Sequence, residues 1–167
     1  MQACQQSTTE VRTSHGTYVV PENVVIEFDA LPFGNGSFDN SGEWRKLDIS
    51  SYIEIGAQHD IYVTLHSYGS AQLSGGQPAA YERREELSEP GFYKAYRKFE
   101  SYKWDVLKGD TRIGACIVLN RSARCDYFGG EDVEMSGLIL SLPDSLWDRR
   151  QQIASDAKAL LESWRVK

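Results

Sequence analysis

The sequence predicts an α+β fold: an antiparallel β-sheet of about six to seven strands, ending in a C-terminal meander, with a long C-terminal helix and one or two middle helices packed on it. Three observations predict it. Short apolar runs alternate with period two between clusters of Gly, Asn and Asp. In residues 61–67, Ile61, Val63 and Leu65 share one face while Tyr62, Thr64 and His66 share the other. Four further runs, 102–107, 111–119, 124–128 and 133–142, follow one another across short turns, as the strands of a meander do. The chain then closes on residues 144–164, where Leu146, Trp147, Arg150, Ile153, Ala154, Ala157, Leu160, Leu161 and Trp164 recur at three and four residues and form the stripe of a helix that faces a core.

In chain order, residues 1–15 are polar, with Thr, Ser and Gln after Cys4, and read as a flexible tether. Residues 16–167 then form one globular domain. Residues 16–21 and 24–28 read as β-structure. Residues 31–44 are a loop of Gly, Asn, Ser and Asp that carries Phe33 and Phe38 and ends on Trp44. Residues 51–55 and 61–67 are two strands joined by 56–60. After a small-residue loop, Pro78 suits the first turn of a helix, so 78–87 is read as the first middle helix. Glu89-Pro90-Gly91 stops it, and 92–101, with Phe92, Tyr93, Tyr96 and Phe99, is read as the second.

The chain has 167 residues, 41% of them hydrophobic and 11% aromatic, enough to fill one core. No run approaches the ~20 apolar residues of a membrane span. The net charge of −6 argues against nucleic acid as a partner, because neutralising phosphates needs a basic face. An acidic surface complements a basic protein instead.

Cys116 and Cys125 flank the turn 120–123. If Asn120 and Arg121 occupy its tip, Leu119 faces Ser122 and Cys116 faces Cys125, with both side chains on one face. A non-hydrogen-bonded pair of that kind is close enough for a disulfide; the alternative is two buried free thiols. Cys4 follows Gln2-Ala3, as the lipidated cysteine of a bacterial lipobox follows small residues, so it is read as a lipid-anchoring site and otherwise as an incidental cysteine. The disulfide and the anchor together point to the periplasm.

Catalytic motifs are incomplete. Leu73-Ser74-Gly75-Gly76-Gln77 spells the signature of ABC-type ATPases, but no Gly-x-x-x-x-Gly-Lys-Ser/Thr loop accompanies it, so it reads as a coincidence. The sequence contains no Gly-x-Ser-x-Gly elbow and no His-Glu-x-x-His pair. The histidines are His15, His59 and His66, of which His66 is the candidate base if a distant carboxylate meets it. The acidic groups lack calcium-loop spacing. No catalytic, metal-ligating or cofactor-binding set is therefore assigned. The aromatics of the 31–44 loop read as interface anchors instead: Phe38 at the centre, with Asp39 and Glu43 as charged contacts. Phe33 and Trp44 either join it or fold back onto the core. Glu131 and Asp132 form a second acidic surface.

Tyr18-Val19-Val20-Pro21-Glu22-Asn23 resembles the opening of PsbP-like domains. The stretch from Leu142-Pro143-Asp144-Ser145-Leu146-Trp147 to Leu160-Leu161-Glu162-Ser163-Trp164-Arg165 resembles their closing helix. The same ending, with Ser74-Gly75-Gly76-Gln77-Pro78-Ala79 and Cys4, is similar to periplasmic lipoproteins that act as immunity proteins against type VI secretion effectors, especially phospholipases. The resemblance covers about a third of the chain. It implies a non-catalytic inhibitor, without a cofactor, that binds and occludes a cognate effector toxin and touches the membrane only through its lipid anchor. Two other classes stand beside it: an envelope hydrolase using His66 with a carboxylate, and a structural or assembly lipoprotein.

Overall fold

The structure is a computed structural model that describes residues 6–13, 15–26, 45–65 and 81–167. Nine strands make one antiparallel sheet. They are β3 (Val25–Ile26), β4 (Arg45–Asp48), β5 (Tyr62–Leu65), β6 (Tyr81–Glu86), β7 (Phe92–Arg97), β8 (Glu100–Lys108), β9 (Thr111–Leu119), β10 (Ser122–Tyr127) and β11 (Leu138–Pro143), in the spatial order β3-β4-β5-β11-β10-β9-β8-β7-β6. A separate hairpin of β1 (Thr8–Thr13) and β2 (Gly16–Pro21) precedes them. After β11 the chain makes a 3-10 segment, Asp144–Arg149, and then helix α1 (Arg150–Trp164).

The expected meander is present as β8 to β11, and the C-terminal helical segment spans the expected residues. The strand count is not six to seven: the described residues hold eleven. The two middle helices are absent from their described positions. Tyr81–Glu86 is strand β6, Phe92–Arg97 is strand β7, and Glu100 already begins β8. Glu and Arg favour a helix locally, but cross-strand pairing overrides them. Arg83 stacks on the Tyr96 ring at 4.0 Å, and Glu85 pairs with Lys94 in the ladder. Glu89-Pro90-Gly91 is the turn of a hairpin, with Gly91 at φ +86°.

Two smaller expectations also change. The 51–55 strand is replaced by 3-10 turns at Ser50–Tyr52 and Glu54–Gln58. Asp48 accepts from the Ser50 amide (3.0 Å) and hydroxyl (2.6 Å), a local bond that competes with the ladder. Within the expected tether, Thr8–Thr13 is strand β1, paired residue by residue with β2.

The sheet's two faces divide the work. One carries Leu47, Val63, Leu140, Tyr127, Cys125, Cys116, Trp104 and Val106, and these share a core with Ile153, Ala154, Ala157 and Leu161 of α1. Trp147 seats the 3-10 segment on this face. Its ring lies edge-on to Tyr127 at 5.7 Å and occupies the space that a side chain on Gly114 would need, with a Cβ there only 2.3 Å from the ring. The C-terminus is tied down as well, because Val166 N–H donates to the Thr17 carbonyl at 2.8 Å. The outer strand β6 carries Glu82, Arg83, Arg84, Glu85 and Glu86, a charged edge that discourages pairing with another chain.

Candidate interaction surface

The β7–β8 turn consists of Lys98 and Phe99, between the paired residues Arg97 and Glu100. Phe99 sits at φ +67°, in the left-handed region that turns of this kind normally fill with Gly or Asn. A bulky side chain there costs roughly 1–2 kcal/mol. Among the described residues the ring meets only the ammonium of Lys98, 5.3 Å away in water, and Phe99 is 91% exposed, so little repays that cost.

The base of this turn is clamped. Asp105 of β8 is fully buried and accepts from Arg97 Nη2 (2.8 Å) and Nε (3.3 Å) through one oxygen, and from the Tyr81 hydroxyl (2.7 Å) through the other. Burial and this hydrogen bond push the Tyr81 phenol well above its ordinary pKa. Three strands are thereby tied together directly below the tip.

The neighbouring hairpin tip is Asn120-Arg121, at φ +50° and +68°. This is the two-residue turn whose twist matches a hairpin. Leu119 faces Ser122 and Cys116 faces Cys125, the register that the sequence predicts. The disulfide closes between them with an S–S distance of 2.05 Å. It points to an oxidising compartment outside the cytoplasm.

Both tips lie at the same end of the sheet, because the β8–β9 ladder reaches Lys103↔Ile117 just below them. Tyr102, Val118 and Leu119 are exposed there beside Phe99. The charges around them are Lys98, Lys103, Arg121 and Glu100, with Lys103 3.0 Å from Glu100. These four are three cations and one carboxylate. The opposite end of β7 and β8 carries both signs. Gly109 N–H donates to the Gly91 carbonyl at 2.8 Å, and this joins the turns that carry Asp110 and Glu89. Glu89 is in turn 3.8 Å from Arg150, the partner of Glu131.

Of the residues that the sequence singled out, Cys4, Phe33, Phe38, Asp39, Glu43, Trp44 and His66 lie outside the described residues. Asp132 is exposed. Glu131 is turned inward: its side chain is 3% exposed and bonded to Arg150 and to the Tyr127 hydroxyl (2.7 Å), so it is not available as a surface contact. The tip residues were missed because 92–101 reads as a helix. No period-two alternation in 92–97 marks it as a strand, since Phe92, Lys94 and Tyr96 on one side and Tyr93, Ala95 and Arg97 on the other are both mixed in polarity.

The second face of the sheet carries a polar row in which Asp48, Tyr62, Ser141 and Asp126 stand opposite one another on β4, β5, β11 and β10. Lys46 and Arg124 cover the Tyr62 ring at 4.5 and 5.0 Å. Burial raises the Asp126 carboxyl above its ordinary pKa, against the opposing effects of Ser141, Lys46 and Arg124. Burial likewise lowers Lys46 and raises Tyr62. Among the described residues the one grouping of metal-ligand side chains is Cys116, Cys125 and Asp144, and its sulfurs are bonded to each other. No described helix is long and apolar enough to cross a membrane. Comparison of the chain with protein-family models, with curated proteins and with solved structures gives no match.

Proposed function

We propose that this chain is a non-catalytic, periplasmic inhibitor of the immunity type, which binds a secreted effector toxin, a phospholipase in the first instance, and occludes it. The observation that carries the reading is Phe99. An aromatic ring that is exposed, held in a backbone conformation unfavourable to it, and braced from below by Asp105 is costly for folding alone. Strain of that kind concentrates where a surface is used, and large aromatics are the usual anchors of tight interfaces. Tyr102, Val118 and Leu119 supply apolar area around the anchor, and Lys98 and Arg121 supply a polar rim. The inhibitory surface therefore includes the two hairpin tips, whether or not the 31–44 loop also contributes. The disulfide, formed in an oxidising compartment, supports a periplasmic site of action.

The test pairs this chain with the product of the adjoining reading frame, assayed for phospholipase activity on vesicles with and without one equivalent of the chain. Turnover is expected to stop at equimolar ratio and to return when Phe99→Gly replaces the wild type. Unhindered turnover in the presence of the chain, or ester hydrolysis by the chain alone that His66→Ala abolishes, overturns the reading.

A further inference from the structure

A cleft of about 240 Å³ separates the β1–β2 hairpin from the C-terminal half of α1. Its floor is apolar, built from Tyr18, Leu65, Leu138 and Leu161, all of them buried members of the core. Its rim is polar, with His15, Lys158, Glu162 and Arg165 as the groups that matter for binding. An apolar floor with a few convergent polar groups is the ordinary form of a small-molecule site.

His15 is fixed from three sides. Its backbone N–H donates to Thr13 Oγ1 at 3.1 Å, and its carbonyl accepts from the Arg165 guanidinium. Its ring lies against Gly137, which sits at φ +77°; a Cβ on that glycine would stand 2.5 Å from the imidazole Cδ2. The ring thus has little freedom to turn, yet its Nε2 is buried and meets no partner among the described residues. A buried polar atom left unmatched costs roughly 1–3 kcal/mol, so a group that bonds it gains by entering.

The charges define what that group is. Arg165 is occupied by the His15 carbonyl and by Glu162, whose carboxylate is 3.4 Å away. Lys158 donates to the Glu134 carbonyl at 2.6 Å, which leaves two of its three N–H bonds free of that contact. Two cations and one carboxylate give the rim a single net positive charge. A phosphate dianion would exceed the rim's single net positive charge and face the Glu162 carboxylate. A monoanion with an apolar body fits both the rim and the floor.

We propose that this cleft binds a small organic carboxylate, with its oxygens on His15 Nε2–H and Lys158 Nζ and its apolar body on Tyr18, Leu65, Leu138 and Leu161. The site is independent of the hairpin tips, so it stands or falls separately from the inhibitor reading.

The experiment is an NMR titration of the whole chain with hexanoate, hexanol and inorganic phosphate as probes. Hexanoate is expected to give saturable shifts centred on His15, Gly137 and Lys158. Hexanol should bind at least about tenfold more weakly, because it lacks the charge that pairs with Lys158. Both His15→Ala and Lys158→Ala should weaken hexanoate by about tenfold or more. Lys158 is exposed, so its variant keeps the test sound if the hairpin variant fails to fold. Three results overturn the proposal: no saturable shift at millimolar hexanoate, as would follow if only water meets His15; a hexanoate affinity unchanged in the Lys158 variant; or phosphate binding more tightly than hexanoate.

Discussion

Arg150 holds Glu131 through two parallel hydrogen bonds, Nη2 to Oε1 at 2.7 Å and Nε to Oε2 at 2.8 Å, with both side chains almost completely buried. The Arg150 guanidinium lies within 5.0 to 5.8 Å of the rings of Trp147, Phe92 and Tyr127. The pair therefore joins the first residue of α1 to the loop after β10 across an aromatic cage. Removing one partner leaves the other charged and desolvated. Glu131→Ala should cost about 3–5 kcal/mol in a urea titration. Glu131→Gln, which keeps an acceptor for the Tyr127 hydroxyl, should cost less. Equal midpoints for Glu131→Ala and the wild type would show that the pair is not an anchor of the helix.

The C-terminal helix was legible because its apolar residues repeat at three and four, and all five of its buried residues fall in that stripe; what the repeat does not show is which members lie at its edge. The buried residues of α1 are Arg150, Ile153, Ala154, Ala157 and Leu161, while Leu160 and Trp164 are only partly buried on its flank. Trp164 meets Tyr52 edge-on at 5.2 Å, a contact with a segment that the sequence reads as a strand. Leu161→Ala should therefore cost about 2–4 kcal/mol. Leu160→Ala should cost nearer to 1 kcal/mol, since less apolar area leaves water. Thermal melts of the two variants distinguish them, and the reverse order would contradict this packing.

The hairpin of β9 and β10 was legible down to its register, because a two-residue tip fixes every pair that follows. The β6–β7–β8 hairpins were not, because Glu-Arg-Arg-Glu-Glu satisfies helix propensity and its strand character comes from partners beyond the segment: the Tyr96 ring under Arg83 and Asp110 beside Arg84. The tip surface was illegible for the same reason. Phe99 becomes unusual only once its φ and exposure are known.

Opening the Cys116–Cys125 disulfide should lower stability by roughly 2–3 kcal/mol, the loop-closure entropy of a ring of about ten residues. The double variant Cys116→Ala/Cys125→Ala should fold to the same core with that loss. Protein made in an oxidising compartment should show no alkylatable thiol at either position by mass spectrometry. Two free thiols there would remove the argument for such a compartment.

Asp126 should make stability fall as pH rises. Burial raises its folded-state pKa above 3.8, so the folded chain holds this proton more tightly than the unfolded chain does. The contribution is then fully present below the unfolded value and is lost as pH rises through the folded one. The groups facing it are Ser141, Lys46, Arg124 and Tyr62. Lys46 and Arg124 limit the rise by favouring the carboxylate, and Lys46 is itself lowered by burial. Asp126→Asn keeps an acceptor for Ser141 and carries no charge to desolvate. Its urea midpoint should exceed that of the wild type at pH 8, and the two should converge near pH 4. A variant less stable than the wild type at pH 8 would mean that the cations outweigh burial.

Phe99→Gly should separate stability from binding. Glycine reaches φ +67° without a Cβ penalty, and the lost ring takes no buried contact with it, because it is almost wholly exposed. The variant should be more stable than the wild type by about 1 kcal/mol, the left-handed penalty less the extra chain entropy of an unfolded glycine. The nearby cation–π contact with Lys98, at 5.3 Å and in water, is too weak to reverse that sign. Phe99→Ala removes the ring but keeps the Cβ, so it should leave stability near the wild-type value. Both variants should lose partner binding alike, since each removes the anchor. If both bind as the wild type does, the ring is not an anchor and the tip surface is not the interface. If Phe99→Gly melts earlier, the strain assigned to this turn is absent and the argument for a functional tip loses its basis.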